Sequence, residues 1–234
     1  MTERPSFPPL LTGVAVPGDA PRAAAIAAAR DGCDAGTIFY DPSAPDLAAA
    51  IVLAPDVALA QAAQMLPLLA VGCQNALGAI APPEVGMHLG WDGTLRVNGG
   101  RAGRVALVAP TPEPKHVPDW LIGVLELRFE IDLDRGGDRP EETALRAEGC
   151  GDLAPLDLLE AWARHSLNWL HRWEVDGPAE LHREWTALSD EIGKELAVAG
   201  RSGTALGLDE ELGLLLKTAD GTELVPLTAL LETP

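Results

Sequence analysis

Two glycine turns in close succession constrain this chain more than any other feature. Asp92-Gly93 separates the strand candidates Met87–Trp91 and Thr94–Val97, and Asn98-Gly99-Gly100 leads to a third near Arg104–Ala109. Asp-Gly and Asn-Gly supply the positive backbone φ that tight hairpin loops require, so these runs pair antiparallel. After the proline-rich loop Pro110–Pro118, the apolar run Trp120–Ile131 reads as a further strand. Upstream, Gly36–Pro42 is a short strand-like run and Ala48–Pro55 is apolar enough for a central strand.

Helical signals flank these strands. In Asp19–Arg30, Asp19 is placed to cap, Pro21 suits the first turn and Arg30 the last, with Gly32 beyond. Gln61–Ala79 is rich in alanine and leucine and reads as a helix broken at Pro67 and stopped by Pro82-Pro83. Leu156–Trp173 carries apolar residues at helical spacing. Pro178 opens a second such helix, with Leu181, Trp185, Leu188 and Ile192 on one face and Gly193 after it. The tryptophans on these faces read as core packing. The proline-rich first twenty residues read as an irregular lead-in. Hairpins with flanking helices predict an α+β fold with a mainly antiparallel sheet.

From Lys194 the texture changes. Short apolar runs alternate with the turns Arg201–Gly203, Asp209–Gly213 and Ala219–Gly221. Four small strands in so short a stretch are the pattern of a small β-barrel. Two domains are therefore expected, residues 1–193 and 194–234.

The chain has 17 Lys+Arg against 35 Asp+Glu, a formal net charge of −18. Such a balance opposes nucleic acid as a partner, because neutralising phosphates needs clustered cations. The best apolar run, Ile51–Leu59, is broken by Pro55 and Asp56 and falls short of a membrane span. The N-terminus lacks the basic and apolar regions of a secretory signal. Cys33, Cys73 and Cys150 are odd in number and hold no C-x-x-C pair, which reads as reduced thiols in a cytoplasmic protein.

The usual catalytic sets are absent from the sequence: no G-x-S-x-G, no G-x-G-x-x-G after a strand, no P-loop. The five histidines are never spaced i,i+4. His165, His171 and His182 read as surface or interface residues of two packed helices, and no metal site is expected. The acidic runs Asp132–Asp138 and Asp209–Glu211 read as solvated loops. Arg96, Arg101 and Arg104 cluster among Asn98, Gly99, Gly100 and Gly103. Arginines with close-approach glycines suit a phosphate or carboxylate. An ordinary hairpin with exposed arginines has the same spacing.

His88–Arg104 (HLGWDGTLRVNGGRAGR) resembles the K-W-P-N-D…K-x-A-G stretch of biotin protein ligases. Trp91 falls on the motif's tryptophan, Asn98-Gly99 on its turn, and Arg101-Ala102-Gly103 on K-x-A-G, one residue short. Gly36–Pro55 is similar to the family's segment from the glycine-arginine loop into the next strand. Trp120–Leu127 resembles its V-I-G-I-G-I-N strand, and Thr143–Leu145 with the two later helices resembles its "T-S-L" and C-terminal helices. The last forty residues are similar to its small SH3-like domain. The resemblance implies a class II synthetase-like catalytic domain followed by an SH3-like barrel. It also implies ATP and magnesium, biotin or lipoate as the acyl group, and a biotinyl or lipoyl carrier domain as partner.

On that resemblance Arg101 is the catalytic donor to the acyl carbonyl or phosphate, and Trp91 is the wall of the acyl slot. Gly99 and Gly103 are close-approach positions, and Arg96, Asn98, Gly36 and Gly123 complete the ligand-binding set. The sequence departs from the family in particular places. The G-R-G-R-R-G-R loop is reduced to Asp34-Ala35-Gly36-Thr37, K-W-P-N-D becomes Gly90-Trp91-Asp92-Gly93-Thr94, and the second glycine and asparagine of I-G-I-G-I-N become Leu125 and Leu127. Three functions stay open: a ligase with a remodelled site, a binding module without adenylation, and an interaction protein whose pocket is filled. Whether Arg30, Arg128 or Arg146 reaches the slot separates the first from the second. Whether a cavity bordered by Trp91 survives separates the second from the third.

Overall fold

Asn98 and Gly99 both take positive φ, +48° and +92°, and form the two-residue loop of a hairpin. A computed structural model describes residues 5–18, 20–131 and 141–234 of this chain. Its main sheet has seven strands: β1 (Thr12–Ala15), β2 (Thr37–Tyr40), β3 (Leu47–Leu53), β4 (Met87–Leu89), β5 (Thr94–Val97), β6 (Gly100–Val108) and β7 (Leu121–Leu127). Their spatial order is β1-β2-β3-β7-β6-β5-β4, so β3, β7 and β6 lie at the centre. Every neighbouring pair is antiparallel except β1 with β2. The expected α+β class with a mainly antiparallel sheet is what the chain forms.

Side-chain alternation gives the sheet two faces. Leu47, Ala49 and Ile51 of β3, Leu125 of β7, and Val105 and Leu107 of β6 join the larger core. That face is covered by α3 (Met65–Ile80), α4 (Pro155–Asp176) and α5 (Ala179–Leu188). Ala50 and Val52, Ala106 and Val108, and Ile122 and Val124 face the other way. There they meet Ala25, Ile26 and Ala29 of a single helix, α1 (Pro21–Arg30).

The helix expected to run through Ile192 ends at Leu188, leaving Ile192 exposed beyond it, and three further details differ from the sequence reading. First, β1 falls within the lead-in read as irregular; all four of its residues are exposed, so no burial pattern marks it. Second, Pro67 does not break its helix. The break lies at Ala63–Gln64, between α2 (Leu59–Ala62) and α3, and Pro67 sits in the first turn of α3. A missing N–H costs nothing there, because first-turn amides have no intrahelical partner. Third, the stretch Leu59–Ile80 is long and apolar enough to pass for a membrane span, and 72% of its most apolar window is buried inside the molecule. Asp19 and the acidic run Asp132–Asp138 lie outside the described residues. The backbone of α1 is preceded by Ala20, which makes no side-chain cap.

The tryptophans are core. Trp162 and Trp185 are buried outright, and Trp162 donates its indole N–H to Leu69 O at 3.0 Å. Burial also pushes the Cys73 thiol up to about 12, which leaves it protonated and inert.

The C-terminal strands β8 (Glu195–Val198), β9 (Arg201–Leu208), β10 (Leu214–Thr218) and β11 (Gly221–Val225) form an antiparallel meander in the order β11-β10-β9-β8. Its core residues Ala205, Leu212, Leu214, Leu216 and Val225 belong to the same cluster as the helices. The chain then returns to the main sheet, where Glu232 N–H donates to Leu107 O at 2.9 Å.

Candidate functional site

The adjacency of β3, β7 and β6 builds a charged groove from segments far apart in sequence. At one end of these strands lies a depression of about 410 Å³. Its charged lining is Asp46, Arg101, Arg104, Glu126, Arg128 and Glu142, three arginines against three carboxylates, with Gly103 between them. Gly103 is obligatory, since a Cβ there would stand 2.1 Å from Glu126 O.

Most of this charge is already spoken for. Arg104 donates from Nε to Glu126 Oε2 at 2.8 Å and from Nη1 to Glu232 Oε1 at 2.8 Å. The hydrogen bond to Glu126 is the largest cause holding its guanidinium above the usual arginine range. Arg128 pairs with Glu142 at 3.2 Å. Asp46 Oδ1 accepts the backbone N–H groups of Phe129 at 2.7 Å and Glu130 at 3.3 Å.

Arg101 differs from its neighbours. Its backbone is pinned, with N–H donating to Glu141 O at 2.7 Å and O accepting from Thr143 N–H at 3.0 Å. Its exposed guanidinium makes no ion pair or hydrogen bond among the described residues. The groove therefore offers one uncommitted planar cation, suited to two parallel hydrogen bonds with a carboxylate or carbonyl group.

The other expected site residues are dispersed. Trp91 is 2% exposed, lies in the core and lines neither described cavity, so a binding reading rests on the groove around Arg101 and not on a slot walled by Trp91. Its indole Nε1–H donates to Leu212 O at 2.9 Å, and its backbone N–H donates to Glu191 Oε2 at 2.7 Å. Burial above all raises the Glu191 carboxyl; the Trp91 N–H counteracts it. Arg96 stands opposite Arg101 in the β5–β6 ladder, half-buried and outside the groove lining. Asn98 serves its own turn, with Oδ1 accepting from Gly86 N–H at 2.9 Å and Nδ2 donating to Glu148 at 3.0 Å. Gly99 is the loop glycine beside it. Gly123 lies under α3, where a Cβ would stand 2.2 Å from Leu69 Cδ1. Gly36 lines a second cavity, on the helix-covered side of the sheet.

Among the three arginines able to enter the site from elsewhere, Arg128 reaches the groove, whereas Arg146 pairs with Glu130 at 2.7 Å and Arg30 does not line it. Asp46, Glu126 and Glu142 stand outside the set of expected site residues. The signal for Glu126 was a lone charge interrupting the apolar run of β7. Among the described residues no group of three His, Cys, Asp or Glu side chains is arranged to hold a metal ion.

Residues 7–187 match the model of the Biotin/lipoate A/B protein ligase family, and residues 192–233 match a domain of unknown function, DUF4444. A biotin--[acetyl-CoA-carboxylase] ligase from Paracoccus denitrificans is 23% identical over 192 residues, covering 78% of each chain. A biotin protein ligase-like protein of unknown function from Silicibacter sp. TM1040 superimposes with a TM-score of 0.92 at 49% identity, over 98% of this chain and 100% of that one. The biotin protein ligase from Aquifex aeolicus in complex with biotin and ATP superimposes with a TM-score of 0.70 at 15% identity, over 92% and 95% of the two chains, a likeness of fold. With the family model spanning most of its length, this chain belongs to the Biotin/lipoate A/B protein ligase family.

Proposed function

We propose that this chain is a binding member of its family that holds a biotin- or lipoyl-type acyl group through Arg101 without activating it with ATP. The ligand is the free acid or the acyl-lysine of a carrier domain. The observation that carries this reading is the internal neutralisation of the groove: among the described residues, three arginines face three carboxylates and Arg101 is the one arginine left uncommitted. A triphosphate has to draw Arg104 and Arg128 away from their carboxylates or rest on Arg101 alone. Each charge-assisted contact is worth about 1.5–3 kcal/mol, so losing two of them removes most of a phosphate clamp. The described residues do not fit ATP, and no adenylation step is assigned to them. A single carboxylate or amide carbonyl matches Arg101 without disturbing its neighbours.

In the same reading, residues 1–193 are the binding domain and residues 194–234 an SH3-like domain buttressing it, in a cytoplasmic protein. The test is a thermal-shift titration with biotin, lipoate and non-hydrolysable biotinyl-AMP and lipoyl-AMP, on the native chain and Arg101→Ala. A ligand at about a hundred times its Kd adds about 2.7 kcal/mol of stability. The expected outcome is a shift with at least one acyl ligand, lost in Arg101→Ala, and none with ATP. A shift that persists in Arg101→Ala, or no shift with any acyl ligand, contradicts the proposal.

A further inference from the structure

The second cavity lies on the opposite face of the sheet from the groove and has no part in the reading above. It is about 590 Å³, a volume typical of small-molecule sites. Ile51 and Leu53 of β3, Leu68 and Leu69 of α3, and Leu170 and Trp173 of α4 supply its walls. Gly36 closes one side. Its φ is +82°, and a Cβ there would stand 2.3 Å from Leu10 O, so no larger residue fits.

Two contacts fix the walls of this space. Ser166 lines it, is only 4% exposed, and its buried Oγ packs against Gly72 of α3, where a Cβ would stand 2.5 Å away, so α3 and α4 close the floor. Trp173 is fixed in the wall by donating its indole N–H to the buried Gln64 Oε1 at 2.7 Å, so the wall is set before anything binds.

The mouth carries the chemical information. Asp56, His171 and Glu174 are its exposed polar side chains, and among the described residues no lysine or arginine lines the cavity. Two carboxylates thus stand at the mouth with no described lysine or arginine to balance them. A fatty acid, biotin or lipoate entering here would bring its carboxylate against two others, whereas a protonated amine would find two acceptors at the edge of an apolar space, where charge pairs are less screened than in open water.

From this geometry we infer a second ligand site, one that takes an aliphatic chain bearing a cationic amine. The chain lies against Leu53, Leu69 and Leu170, and the ammonium group sits between Asp56 and Glu174. The site is independent of Arg101 and differs in charge preference from the groove.

The experiment is isothermal titration, followed in parallel by tryptophan fluorescence, with decylamine, decanol and decanoate at neutral pH and below their aggregation concentrations. Decylamine is expected to saturate one site and bind about tenfold or more tighter than decanoate. The net charge of −18 attracts any cation weakly, so the decisive variant is the double substitution Asp56→Asn, Glu174→Gln. Both positions are exposed, and the variant is expected to fold and to bring amine and carboxylate to similar affinity. Arg101→Ala is expected to leave decylamine binding unchanged. Absence of saturable decylamine binding, equal binding of decanoate by the native chain, or an amine preference that survives the double substitution overturns the inference.

Discussion

Ala48, Ala50 and Val52 of β3 point toward the side of α1, while Leu47, Ala49 and Ile51 of the same strand point toward α3 and α4. The helix-covered face is thick, joined by three helices and the C-terminal meander, and holds most of the large buried side chains. The α1 face is thin and built of small residues, and it ends in the charged groove. One strand thus serves two ends: its even-numbered positions leave room beside the charged groove and its odd-numbered positions carry the fold. Substitutions on the helix face should cost stability, and those at the groove should cost binding.

The largest effect is expected at Leu125, which is fully buried on the helix face. Leu125→Ala should destabilise the chain by about 2–5 kcal/mol in urea unfolding. Arg101→Ala, exposed at the groove, should stay within about 0.5 kcal/mol. Equal losses would erase the distinction between the faces.

A smaller effect of opposite sign is expected at Ser166. Removing its unpartnered buried hydroxyl in Ser166→Ala should raise stability by about 1 kcal/mol. A loss of that size would mean that the hydroxyl is satisfied in solution.

Glu232 ties α1 to the groove on the thin face, since it pairs with both Arg22 of α1 and Arg104 of the groove. The three side chains are each about a third exposed, and solvent screens such pairs. Glu232→Gln should therefore cost about 0.5–1 kcal/mol in the same assay, and a larger cost would show that the C-terminal segment clamps the α1 face.

The smallest effect concerns pH. Burial raises the Glu191 carboxyl above its usual range, so the folded chain binds that proton more tightly than the unfolded chain. Its contribution is present below the unfolded carboxyl pKa and is lost as pH rises through the raised folded value. Urea unfolding from about pH 4 to pH 7 should show a fall in stability that is flatter in Glu191→Gln. An identical slope in both proteins would remove Glu191 as its source.

Much of the fold was legible because local chemistry dictated it. Asp92-Gly93 and Asn98-Gly99 carry the positive φ of their turns, and Trp120–Ile131 shows its strand as an apolar run. β1 was not legible, because an exposed edge strand has no alternation to display and exists only through pairing with β2. Pro67 misled because the same residue breaks a helix interior and opens a first turn.

The site was less legible than the fold. Arg101 and Gly103 line one groove, and its electrostatics depend on the company of Asp46, Glu126 and Glu142. Glu232 lies 128 residues from the Arg104 it neutralises, a separation that no local pattern spans. Trp91, the strongest motif residue, faces the C-terminal sheet through Leu212 and not the groove.

The central claim, a ligase fold whose groove binds without adenylating, is tested most directly by exchange of labelled pyrophosphate into ATP with biotin or lipoate present. Reversible formation of an acyl-adenylate must produce that exchange. The account predicts none above background for the native chain, even at ligand concentrations that give a thermal shift. Exchange that depends on the acid and disappears in Arg101→Ala would contradict it and return the chain to the active ligases.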